Sequence, residues 1–187
     1  TSNEMFAKIQ KAELEVNLVT EEDLTELSEG DEFVYYRARS YKFYGEVMNL
    51  KDSKVTNLKS SIKIPAEFDL ENAYIVAYED DGITVKEVKD GVTFDEVKRE
   101  ITWSFNEIQS SRAANFVFVL KVGTMPDGVT RIVDKMTLSA KADGTEEYYS
   151  QEAKLPIAVP QLEITQTTNT KNTYVKEGQT IEYVFNI

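Results

Sequence analysis

The chain has 187 residues, 41% of them hydrophobic and 29% charged, so it can bury a sizeable core and is not globally disordered. A net charge of -12 argues against nucleic acid and anionic membrane surfaces as partners, because both would repel it. Neither cysteine nor histidine occurs, which excludes disulfides, thiolate chemistry, a serine–histidine triad, a cysteine–histidine dyad and a histidine-based zinc site.

In chain order the first periodic segment is "LEVNLV", followed by "TEEDLTEL" (Thr20–Leu27), which has Thr20 as a candidate N-cap and acids in the first turn. We read this stretch as an irregular connection between strands with room for one helical turn. "YYRARSYKFYGE" (Tyr35–Glu46) then crowds five aromatics and three bases together in an acidic chain. "SSIKIP" places Ile62 and Ile64 on one face and is stopped by Pro65. "AYIVAYED" and "ITVKEV" flank the turn Asp80–Gly82 as a hairpin, and "VTF" and "ITWSF" flank "DEVKRE". The alternation of "ITWSF" puts Trp103 and Phe105 on one face, which reads as core and not as a sugar platform. Phe116, Phe118, Leu120 and Val122 line one face of "NFVFVLKV". "KMTLSAK" and "EEYYSQEAKLPIAV" close the unit. Short strands with such turn signals predict an all-β fold, an immunoglobulin-like Greek-key β-sandwich, and not βαβ units.

Leu14–Tyr36 matches Leu162–Val184 without a gap, 148 positions on. Leu14, Glu15, Thr20, Thr25, Gly30 and Tyr35 meet identical residues, and Val16/Ile164, Leu27/Val175 and Phe33/Ile181 are like for like. The repeat predicts three parts: residues 1–12 as the tail of a preceding repeat or linker, 13–160 as one sandwich, and 161–187 as the first strands of a truncated next repeat. "LPIAVPQ" (Leu155–Gln161), with two prolines, reads as a stiffened last strand or link. The final strand, Thr180–Ile187, is then expected to add to an edge of the first domain or to pair with a neighbouring molecule.

Gly30-Asp31 opening a strand that reaches Tyr35, "VMN" (Val47–Asn49), "VTNLKSSIKIP" (Val55–Pro65), "ITWSF" (Ile101–Phe105) and "NFVFVLKV" (Asn115–Val122) follow one another in the order seen in a family of immunoglobulin-like bacterial surface repeats. The chain resembles that family, designated domain of unknown function number eleven, over most of its body. Two features depart from the family pattern: Ile62 stands where an acid is usual, and Arg37–Tyr44 lengthens the Tyr-to-Asn interval. The resemblance implies an extracellular, cell-wall or cell-surface spacer or adhesion module in a secreted tandem array, with neighbouring repeats as partners and no catalytic residues. The absence of cysteine fits a Gram-positive surface protein.

Four constellations bear on function. Tyr36, Arg37, Arg39, Tyr41, Phe43 and Tyr44 form either a protruding ribbon that binds a glycan or host protein through stacking and bidentate contacts, or a strand crossing both sheets with its tyrosines packed. Asp80, Asp81 and Asp143 are weak Ca²⁺ candidates in acid-rich turns, although Asp-Gly is also simply the preferred turn pair. A lysine–asparagine isopeptide, known in similar-looking wall modules, requires a buried lysine beside Asn or Asp and a carboxyl group. With 33 acids, paired carboxylates for glycoside hydrolysis arise by accident, and no motif isolates one. The expected function is therefore non-catalytic, with no required cofactor, no nucleic acid partner, no membrane insertion, and self-association through 180–187 as an available mode.

Overall fold

A computed structural model describes residues 12–79, 83–125, 129–145, 148–158, 165–168, 177–178, 180 and 182–186. In chain order the elements are β1 (Leu14–Val19), α1 (Glu21–Leu24), β2 (Tyr35–Tyr36), β3 (Ser40–Asn49), β4 (Val55–Lys63), β5 (Phe68–Tyr78), β6 (Val85–Val88), β7 (Val92–Asp95), β8 (Glu100–Ile108), β9 (Ala113–Val122), β10 (Arg131–Lys141), β11 (Tyr149–Ala158), β12 (Thr165–Thr168) and β13 (Tyr183–Asn186).

Two sheets face each other, one ordered β1-β3-β9-β5-β6 and the other β2-β11-β10-β4-β8-β7. The runs β1-β3-β9-β5 and β11-β10-β4 reproduce the A-B-E-D and G-F-C sheets of the immunoglobulin fold. The chain is an immunoglobulin-like all-β sandwich. β6, β7 and β8 are additional, and all three fall between the fourth and fifth strands of that scheme. β2 adds to β11 in parallel, Tyr35 opposite Ile157.

Period-2 alternation builds the core. Phe116, Phe118, Leu120 and Val122 from β9 meet Ile62, Ile101, Trp103, Met136, Leu138 and Leu155 from the facing sheet, all of them buried. Two strands change phase on the way. Asn57, at φ 52°, has no partner between the pairs Thr56–Glu107 and Leu58–Phe105, so β4 buries Val55 and then Leu58. β5 slips between Leu70 and Asn72, which brings Ala73 back to the core. The β5 slip is a bulge with Glu71 as the extra residue, whereas β4 keeps its register with β8 and changes phase at the left-handed Asn57; both keep apolar side chains inward.

Asn49 closes one end of the sandwich. It is fully buried; its amide donates to the Ser53 and Gln109 carbonyls at 2.8 and 3.2 Å, and its oxygen accepts the Lys51 N–H at 3.1 Å. That loop thereby satisfies its backbone away from water.

The helical turn α1 follows the expectation for Thr20–Leu27. Thr20 and Asp23 form a reciprocal capping box, the Asp23 carboxylate accepting the Thr20 N–H at 2.8 Å. The turn sits over the Tyr35 hydroxyl, which is buried without a hydrogen-bond partner. Burial, chiefly, and then the nearby carboxylates Glu22, Asp23 and Glu21 push that hydroxyl well above the ordinary tyrosine range, against the opposing pull of the Thr20 hydroxyl. A phenol that ionises in the unfolded chain near 10.0 stays protonated in the fold. The native state then holds the extra proton, so stability falls as pH rises above that value. Tyr35→Phe is expected to leave stability at neutral pH within about 1 kcal/mol, since no bond is lost, and to flatten the alkaline decline. Urea midpoints followed across the alkaline range check this; an unchanged decline in the variant would contradict it.

β12 and β13 pair with each other, Thr165 opposite Asn186 and Thr168 opposite Tyr183, as a separate two-stranded sheet. The expectation that Thr180–Ile187 adds to an edge of the first domain is therefore corrected: among the described residues its host is β12. β1 and β2, which the repeat matches to this hairpin, instead lie in opposite sheets, where they pair with β3 and β11. The described residues beyond Ala158 include no counterpart of β3 or β11, and the two strands satisfy each other's backbone groups instead. One conformational signature is shared. Gly30 and Gly178, 148 positions apart, both adopt the left-handed region, at φ 89° and 80°.

Candidate functional site

The aromatic and basic segment 35–44 does not protrude; it passes from one sheet to the other. β2 ends at Tyr36, a turn follows with Ala38 at φ 61°, and β3 starts at Ser40 in the facing sheet. The Ala38 N–H donates to the Val122 carbonyl at 2.8 Å and the Val122 N–H to the Arg39 carbonyl at 3.0 Å, which pins the turn to β9.

This crossing sorts the candidate residues. Phe43 has no exposed surface and stacks on Phe118 with ring centroids 5.1 Å apart, so its assignment as a ligand contact is corrected: it is core. Tyr41 is half-buried with its ring edge-on to Tyr35 at 4.8 Å, and its hydroxyl accepts the Tyr36 N–H at 2.8 Å. It therefore caps the free edge of β2 and has little left to offer a ligand. Together with Phe33, Phe68, Trp103, Phe105 and Phe116, these rings form a continuous aromatic string through the sandwich. Such pairs add about 0.5–1.5 kcal/mol each beyond area burial.

Tyr36, Arg37, Arg39 and Tyr44 reach solvent. The Arg39 guanidinium lies over the Tyr36 ring at 5.6 Å. Tyr44 points to the opposite surface, the outer face of the five-stranded sheet. The segment's exposed residues thus serve two separate surfaces and form no single site. Tyr44 joins the cross-strand row Val19–Tyr44–Val117–Tyr74. Its neighbours come from three other strands, so no local motif announced them; β1 and β9 alternation carried the only trace.

Of the Ca²⁺ candidates, Asp80 and Asp81 lie outside the described residues. The Asp143 carboxylate accepts from the Thr56 hydroxyl at 2.8 Å and the Asn57 amide at 2.7 Å. It ties the β10–β11 turn to β4 at the left-handed Asn57, which is a structural use of the same oxygen. Among the described residues no group of three acids converges. Every described lysine retains solvent exposure, and the one fully buried asparagine, Asn49, spends its amide on backbone carbonyls. The buried lysine that an isopeptide needs is therefore lacking among the described residues.

No family model matches the chain. No curated protein matches it either. Solved structures do. The full-length major pilin SpaD of Corynebacterium diphtheriae aligns with TM-score 0.51 and 11% identity over 82% of this chain and 36% of the pilin. The major pilin subunit BcpA of Bacillus cereus aligns with TM-score 0.51 and 12% identity over 83% of this chain and 43% of that one. The chain thus spans less than half the length of either pilin, and at these identities the likeness is one of fold. AvmM, which catalyses macrocyclization in alchivemycin A biosynthesis, aligns more loosely, with TM-score 0.45 and 10% identity over 80% of this chain and 91% of AvmM.

Proposed function

We propose that this chain is a non-catalytic structural module of a bacterial surface protein, a spacer within a tandem array that holds other domains away from the cell. The observation that carries the reading is the path of the chain. β1 enters beside the loop around Asn49, where the Ala12 N–H donates to the Gly144 carbonyl. β11 leaves at the other end of the sandwich, where Ala158 lies beside Tyr36 and Arg131. Entry and exit at opposite ends of the strands let successive units stack head to tail and add length, as a spacer requires.

The 148-residue repeat and the paired glycine turns support a second unit of the same kind, with residues 161–187 as its opening strands. The fold likeness to major pilins of Corynebacterium diphtheriae and Bacillus cereus supports an extracellular setting. The sequence resemblance to the repeat family designated number eleven points the same way.

Displaying one, two or four complete units between a wall anchor and a reporter domain tests the role. Reporter accessibility to an antibody is expected to rise with each added unit. Accessibility independent of unit number would overturn the spacer reading.

A further inference from the structure

The outer face of the five-stranded sheet carries a feature the spacer role does not require. A solvated sheet face should carry polar side chains. The six-stranded sheet largely obeys: Lys59, Lys63, Thr102 and Ser104 point outward and Lys135 pairs with Glu152 at 2.8 Å, with Val133 an apolar exception. The five-stranded sheet presents Glu15, Lys42 and Lys121 but departs from the rule along one row. Val19, Tyr44, Val117 and Tyr74 run side by side across four strands, Tyr44 40% and Val19 36% exposed and Val117 and Tyr74 buried beneath their neighbours. A groove of about 210 Å³ opens at the Val19, Tyr44 and Val117 part of this row, and Asn17, Glu46, Val76 and Asn115 also line it.

We infer that this groove binds a neutral pyranose ring of a glycan, Tyr44 stacking on the apolar face of the sugar while Asn17, Glu46 and Asn115 meet its hydroxyls. The volume lies below the ~300–1,000 Å³ typical of clefts for drug-sized ligands, so one small ring is the fitting load. The polar wall has the right chemistry. The Asn17 amide donates to Glu46 Oε1 at 3.1 Å, which fixes both side chains and leaves Asn17 Oδ1 and Glu46 Oε2 as acceptors. The Asn115 carboxamide, half-buried, has no side-chain hydrogen-bond partner among the described residues and offers both a donor and an acceptor.

Charge selects the occupant. The lining holds one carboxylate and no lysine or arginine, on a chain of net charge -12. An anionic sugar or a phosphate therefore finds no counter-charge here, whereas a neutral polyol satisfies amide and carboxylate alike. The inference is independent of the spacer reading, because either can fail without the other.

Amide-shift NMR of the isotope-labelled chain, titrated with the methyl glycosides of glucose, galactose and mannose and with a sulfated methyl glucoside, tests it. Shifts confined to the groove strands with at least one neutral glycoside, and none with the sulfated one, are expected. Tyr44→Ala should weaken that binding roughly tenfold while the melting temperature holds. Asn115→Ala supplies a second variant should Tyr44→Ala fold poorly. Absence of shifts with every neutral glycoside, binding that survives both substitutions, or sugar-independent broadening of the same amides that grows with protein concentration would overturn the inference; the last would assign the face to a second copy of the chain.

Discussion

Phe43→Ala is expected to destabilise the sandwich by about 4 kcal/mol, and Tyr44→Ser, one residue on, by under about 1 kcal/mol. The contrast follows from strand parity. Phe43 is fully buried and packs on Phe118 at 5.1 Å and on Tyr35 at 5.9 Å. Removing it deletes the middle of the aromatic string and leaves a cavity between close-packed rings that cannot collapse onto it. Tyr44 faces outward with 40% of its surface in solvent. For a domain of this size the first change lowers the melting temperature by roughly 12 °C and the second by no more than a few degrees. Thermal melts by circular dichroism check both. Equal losses for the two variants would contradict the assignment of segment 35–44 to the core on one side and the surface on the other.

Gly45→Ala is the second large effect, and its cause is overpacking. Gly45 lies opposite Phe116 on the inward face of β3, and a Cβ built on it would stand 2.1 Å from Phe116 Cε2. The ring has nowhere to retreat. Phe116 stacks on Trp103 at 4.3 Å and is itself buried. The methyl group must push Phe116 into Trp103 or bend β3, at a cost of roughly 3 kcal/mol. Trp103 is the sole tryptophan, so its fluorescence reports the displacement directly. Phe116→Leu is destabilising alone but is expected to recover part of the loss when combined with Gly45→Ala, because it vacates the contested space. Strictly additive losses would show that the ring does not cause the effect.

Much of the fold was legible because period-2 alternation is a local signal. Ile62, Trp103, Phe116, Phe118 and Leu120 were placed in the core from the sequence, and they are there. The hairpin β5–β6 also falls where turn residues mark it. What was not legible had non-local or conformational causes. Segment 35–44 reads as a crossing strand ahead of a ribbon, but nothing in its composition reveals that Ala38 takes a left-handed turn without glycine. That turn lets Tyr35 and Phe43 approach the same core from opposite sheets. The outer groove is a product of sheet order: Val19, Tyr44 and Val117 are far apart in the chain and become neighbours only once β1, β3 and β9 pair. The pairing of β13 with β12 depended on which partners were at hand, which a strand's own pattern does not encode.

In the proposed array the additional strands leave room for stacking. β6, β7 and β8 widen the sandwich sideways, whereas entry and exit lie at the strand ends, so the insertion leaves the stacking axis clear. Edge exposure on the β1–β2 side is limited by side-chain caps. Gln151 accepts the outward Leu18 N–H at 2.6 Å and Tyr41 accepts that of Tyr36. These two donors are not free for lateral pairing with another chain, which in the proposed array favours growth end to end.

Small-angle X-ray scattering of a chain carrying two complete units at the 148-residue spacing tests end-to-end stacking most directly. The longest strands run to 11 residues. At ~3.3 Å per residue, the second unit should extend the maximum dimension by about 35 Å or more. The cross-sectional radius should stay that of one sandwich. A maximum dimension close to that of a single unit, with a widened cross-section, would show units folded back side by side and would contradict the account.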